Sequence, residues 1–70
     1  MDIATEYAWK YAIDAWGEAY EFEYKPDAAN PFTCKRRDNG LLLEAKTVEL
    51  LLRIVRRDYG DKPVPRSVTP

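Results

Sequence analysis

Polar side chains recur at every fourth position from Asp2 through Glu6 and Lys10 to Asp14, and that interval marks a single solvated stripe on a helix. The spacing predicts a helix from Asp2 to about Trp16. Its inward face is expected to consist of Ala4, Ala8, Ala12 and Ala15, small residues that let a helix approach a sheet or a second helix closely. Tyr7 and Tyr11 then fall on one flank, with Trp9, Ile13 and Trp16 on the other. Gly17 is expected to end the helix by taking a left-handed backbone conformation at no steric cost.

After Ala19 the apolar period drops from four to two. Tyr20, Phe22 and Tyr24 alternate with Glu21, Glu23 and Lys25, the pattern of a half-buried strand with aromatics inward and charges outward. Pro26 and the Asn30-Pro31 step interrupt regular backbone pairing, so the stretch from Lys25 to Pro31 is expected to be a loop. A second alternating run sets Phe32 and Cys34 against Thr33 and Lys35, and it leads into Asp38-Asn39-Gly40. Asn-Gly readily supplies the positive φ angles of a tight hairpin.

Leu41, Leu42 and Leu43 can be read as a third short strand or as the first turn of a helix. The hairpin signal before them favours the strand. So does Thr47, which suits a helix N-cap, with Glu49 in the following turn, so that the helix starts near Val48. Val48, Leu51, Leu52, Val55 and Tyr59 then share an inward stripe, Glu49, Arg53, Arg56 and Arg57 lie outward, and Gly60 closes the helix. The expected fold is α+β, a small α-β-β-β-α domain in which both helices pack on one face of a three-stranded antiparallel sheet. Residues 1–60 form that single domain. Residues 61–70, with three prolines and no apolar period, are expected to be an extended, disordered tail.

The element order over residues 2–59 resembles the topology of double-stranded-RNA-binding domains. The likeness rests on the aromatic first strand from Tyr20 to Tyr24, the proline-containing loop, Phe32 at the opening of the second strand and a short final helix. It implies an RNA-contacting lysine cluster at the start of the last helix and a proline-histidine loop between the first two strands. This chain has Lys46 alone near that helix start and no histidine in the loop. The resemblance therefore bears on the fold more than on the activity.

Composition narrows the chemistry further. Seventy residues with 46% hydrophobic and 33% charged side chains suit one domain with a thin core. Small domains of this kind are usually reinforced by a disulfide, a structural metal or a partner. Cys34 is the one cysteine and the chain has no histidine, so neither an internal disulfide nor an ordinary zinc site is expected, and association remains. No metal or other cofactor is expected. The same absence of histidine leaves Cys34 without the usual general base, and its phase with Phe32 predicts a buried structural thiol. Glu21 and Glu23 are expected to pair across the hairpin with Lys35 or Arg37 rather than to carry acid/base chemistry. The chain is therefore read as no enzyme.

A formal charge of −1 argues against general nucleic-acid binding, which needs clustered positive charge. Acidic residues dominate the first third, however, and basic ones the second half. Lys35, Arg36, Arg37 and Lys46 form the candidate phosphate-contacting set of a reduced nucleic-acid-binding domain, which is the alternative function. The leading expectation is a small protein-interaction module that docks on another protein or on itself, with a homodimer plausible. Its candidate interface is Trp9 and Ile13 at the margin of the first helix and Leu50, Arg53, Ile54 and Arg57 on the second, because apolar, aromatic and arginine surface favours protein contacts. A third expectation is a small acidic inhibitor of virus or plasmid origin that uses Asp2, Glu6 and Asp14. The prolines around Val64 resemble a groove-binding ligand but are expected only to end the chain. No apolar run approaches the ~20 residues of a membrane span. Asp2 and Glu6 stand where a signal peptide carries positive charge, and the free thiol suits a reducing compartment, so a cytoplasmic location is expected.

Overall fold

A computed structural model describes residues 1–65. Helix α1 (Ile3–Trp16) is followed by strands β1 (Tyr20–Tyr24), β2 (Phe32–Arg36) and β3 (Leu42–Ala45), and by helix α2 (Val48–Asp61). The strands form one antiparallel sheet in the order β1-β2-β3. This is the α-β-β-β-α arrangement that the changes of period predict, with Leu42 and Leu43 in a strand rather than in a helix.

Register decides which side chains share a face. Tyr20 lies opposite Arg36, Phe22 opposite Cys34, and Tyr24 opposite Phe32. Cys34 and Phe32 in turn face Leu43 and Ala45. These eight positions line the face covered by the helices, and Ala12, Leu51, Leu52, Val55 and Val48 close the core above them. The other face carries Glu21, Glu23, Thr33, Lys35, Leu42 and Glu44, and it is open except at Thr33, whose hydroxyl donates to the Glu23 carbonyl at 2.8 Å.

Both helices begin on side-chain caps. Asp2 accepts from the Thr5 amide at 2.8 Å and Thr47 from the Leu50 amide at 3.1 Å, each satisfying one of the amide donors that a helix start leaves over. Asp2 is thus the cap and not the first helical residue. The Thr47 cap and the start of α2 at Val48 are as expected.

Several local expectations are corrected. Gly17 has φ −62°, an ordinary right-handed value. Its reason is space, since a Cβ there would run into the Ile13 carbonyl oxygen. Gly60 does not close α2, which runs on to Asp61 with Lys62 as its cap. In the β2–β3 hairpin only Gly40 takes a positive φ, 76°, and the loop is longer than a two-residue turn. Arg36 and Leu41 close it at 2.9 Å, while Asn39 braces it by accepting from the Leu41 amide. The ordered chain also continues past residue 60, because Val64 is buried in the core. The part of the expected tail at residues 66–70 lies outside the described residues.

The largest correction concerns how α1 is rolled. Ala12 is the one fully buried residue of the helix, and Ala8, Trp9 and Trp16 pack partly buried beside it on the core, while Ala15 is half-buried and Ala4 alone of the four alanines is exposed. Trp9 stands edge-on to Phe22 and Phe32, with ring centroids 5.5 and 5.3 Å away. Trp16 packs similarly on Tyr20 and Tyr59. The sheet beneath α1 is aromatic, and two indoles bury far more apolar surface against it than a row of alanines does. The helix axis therefore turns toward the tryptophans, and the tyrosines on the opposite flank turn out.

Candidate functional site

Two groupings of side chains stand out, one closed and one open. The closed one centres on Arg36, which is only 2% exposed although it belongs to the basic run of the hairpin. Alternation places it inward from β2, in phase with Phe32 and Cys34, where an isolated cation would be strongly disfavoured. Four hydrogen bonds satisfy its guanidinium. Asp38 takes a bidentate pair, from Nε at 3.0 Å and Nη2 at 2.9 Å, and Nη1 donates to Asp58 at 2.6 Å and to the Lys62 carbonyl at 2.7 Å. The hydroxyl of Tyr20, itself fully buried, donates to the same Asp58 oxygen at 2.5 Å.

The electrostatic consequences follow from that geometry. Hydrogen bonds from Arg36 hold the Asp38 carboxyl below its ordinary value, and those from Asp38 and Asp58 push the guanidinium further up. Burial first, and then the bond to Asp58, raises the Tyr20 phenol. Burial likewise pushes the Cys34 thiol up to about 12, with the Asp58 charge adding to it. A thiol held protonated and 1% exposed is a poor nucleophile and a poor metal ligand. Among the described residues no group of three or more His, Cys, Asp or Glu side chains is placed to hold a metal ion.

The four basic residues considered for phosphate contact are not brought together. Arg36 is committed inward. Lys35 lies on the open sheet face opposite Glu21, Arg37 folds back to donate to the Gly17 carbonyl at 2.8 Å, and Lys46 follows the far end of β3. Phe32 and Ala45 are register partners, so Lys46 sits near the Phe32 end of β2, whereas Arg37 follows its Arg36 end. About four strand steps, ~13 Å, separate Lys46 from even Lys35.

The open grouping lies on the outer side of the helix layer. Ile3, Tyr7 and Tyr11 are 72%, 72% and 56% exposed and repeat at i, i+4, i+8, which aligns them along α1. An open depression of about 370 Å³ lies beside the first two, lined by Ile3, Glu6, Tyr7 and Lys10. On α2, Leu50 and Ile54 are exposed, with Arg53 and Arg57 exposed next to them. Of the expected interface, therefore, Leu50, Arg53, Ile54 and Arg57 do share one exposed helix face. Ile13 is exposed on α1, but on the flank away from the tyrosines. Trp9 is turned into the core.

Ile3, Tyr7 and Tyr11 are the surface residues that the alanine-centred reading of α1 passed over. Their four-residue repeat was visible in the sequence, but it ran parallel to the repeat of Asp2, Glu6, Lys10 and Asp14, and only the aromatic sheet below decides which flank is buried. No helix among the described residues is long and apolar enough to cross a membrane. In comparisons with known proteins, no family model matches the chain, and no curated protein or solved structure matches it.

Proposed function

We propose that this chain is a non-enzymatic protein-interaction module whose contact surface is the outer side of its helix layer. The observation that carries this reading is the stripe Ile3-Tyr7-Tyr11, three large apolar or aromatic side chains left more than half exposed on a helix whose tryptophans already fill the core. Exposed tyrosine beside aliphatic and arginine side chains is the composition that interface hot spots favour. Leu50 and Ile54, flanked by Arg53 and Arg57, extend the same kind of surface onto α2. The other side of the molecule sets Glu21, Glu23, Lys35 and Glu44 around one exposed apolar residue, Leu42, which is close to the mixed-charge character of an ordinary solvated face. A non-enzymatic role is supported by the buried, protonated thiol and by a chain without histidine.

Site-specific photocross-linking in living cells tests the reading. A photoreactive phenylalanine analogue replaces Tyr7, Leu50 or, as a control, Glu21. Protein adducts are expected at Tyr7 and Leu50 and not at Glu21. Equal labelling at all three positions, or none at the two helix positions, overturns the assignment of the surface.

A further inference from the structure

The reading of the helix layer as a contact surface leaves its occupant open, and on that reading we infer that the occupant is a second copy of this chain. The two copies are related by a two-fold axis that lays α1 of each over α2 of the other. Three observations lead there.

The first is the disposition of the helices. Asp2, Ala4 and Ala8 line a groove together with Val48 and Glu49, so the two N-terminal ends lie side by side. At the other ends Trp16 meets Tyr59, with ring centroids 5.3 Å apart. The helices thus run in the same direction on the same side of the sheet, and each is 14 residues long. A two-fold axis parallel to them, above the layer, stacks α1 on the partner's α2 and α2 on the partner's α1 in one operation. Such a contact closes on itself and leaves no further surface of this kind to propagate.

The second is charge. The α1 side carries Asp2, Glu6 and Asp14 against Lys10 alone, three acidic to one basic. The exposed side of α2 carries Arg53, Arg56 and Arg57 against Glu49 and Asp61, three basic to two acidic, because Asp58 is committed to Arg36. Stacking α1 on α1 sets carboxylates against carboxylates, and stacking α2 on α2 does the same with guanidinium groups. The crossed arrangement pairs opposite signs in both contacts.

The third is apolar match and extent. Ile3, Tyr7 and Tyr11 on one helix meet Leu50 and Ile54 on the other, so each copy covers these five exposed side chains of its partner, while Ile13 and Leu42 lie outside the contact. Two helices of about 21 Å by ~10 Å each give a footprint of roughly 400 Å² per copy, and side-chain relief raises the total accessible area removed to about 1,000 Å². That lies at the lower limit for a specific dimer, so a weak, salt-sensitive association in about the micromolar range is expected.

Sedimentation equilibrium on four proteins tests the arrangement: the wild type, an α1 variant with Glu6→Arg and Asp14→Arg, an α2 variant with Arg53→Glu and Arg57→Glu, and the wild-type background carrying Leu50→Ser. The substituted positions are all exposed, and circular dichroism establishes that each protein is folded. The wild type is expected to dimerise, and each variant alone to dimerise at least about tenfold more weakly. An equimolar mixture of the α1 and α2 variants is expected to regain wild-type affinity, since both contacts of the mixed dimer again join opposite charges. If either charge variant fails to fold, Leu50→Ser carries the test, with the same weakening expected.

A wild type that stays monomeric to about millimolar concentration overturns self-association. In that case adducts from Tyr7 with a different protein keep the wider reading intact, and an absence of adducts ends both. A dimer that the single variants do not weaken, or that the mixture does not restore, overturns the crossed arrangement.

Discussion

Tyr20, Arg36, Asp38 and Asp58 contribute unequally to the network they share. Tyr20→Phe removes one hydrogen bond to a charged carboxylate and leaves the ring packing in place. It is expected to cost about 2 kcal/mol, which lowers the thermal midpoint of a domain this small by roughly 10 °C. Urea or thermal unfolding followed by tryptophan fluorescence measures both. Asp38 gives the acid behaviour. Its folded value is depressed by Arg36, so its stabilising contribution is complete above the unfolded value of ~4 and disappears as pH falls through the folded one. Asp38→Asn is expected to be less stable near neutrality and to show a flatter loss of stability below about pH 4. At the alkaline end the sign reverses. Cys34 rises from 9.0 to about 12 on folding, so stability is full below pH 9 and declines as pH climbs from there toward 12. Cys34→Ala is expected to remove that part of the decline. In the native wild type at neutral pH the thiol should react with a soluble disulfide reagent only as fast as the protein opens, a rate that a colorimetric assay reads directly.

At the scale of elements, the two glycines at helix ends behave oppositely. Gly60 sits within α2 with open space where a Cβ would go, so Gly60→Ala is expected to raise stability by about 0.5–1 kcal/mol through the usual helix preference. Gly17→Ala is expected to lower it, because the added methyl meets backbone. The same chemical change thus moves the unfolding midpoint in opposite directions at the two sites. Element order, the start of α2 at Val48 and the facing of β1 were legible in the sequence because each rests on local signals: Thr47, the Tyr20-Phe22-Tyr24 alternation, the turn before Leu41. The roll of α1 was not. Alanine and aromatic stripes lie on neighbouring flanks, and the choice between them depends on what the sheet presents at Phe22 and Phe32, well beyond the helix in sequence. The burial of Arg36 is masked in the sequence for a related reason. Its neighbours Lys35 and Arg37 suggest a solvated run, whereas the period-two phase from Phe32 and Cys34, followed strictly, points Arg36 inward.

The molecule as a whole has a charged sheet side, an apolar and charged helix side, and a C-terminal segment that belongs to neither. Val64 is 2% exposed, and Val64→Ala is expected to cost about 2 kcal/mol, a loss of the size seen when buried methyl groups are deleted. Tyr7→Ser combined with Tyr11→Ser is expected to change monomer stability by less than about 0.5 kcal/mol, so lost association in that variant can be assigned to the surface and not to unfolding. The Lys62 carbonyl on Arg36 and the seating of Val64 also fix where the backbone departs. A fluorophore or affinity handle inserted directly after Pro65 is separated from the buried Val64 by a single residue. Energy transfer between two such dyes therefore reports the orientation of one copy against another with little blurring from a long tether.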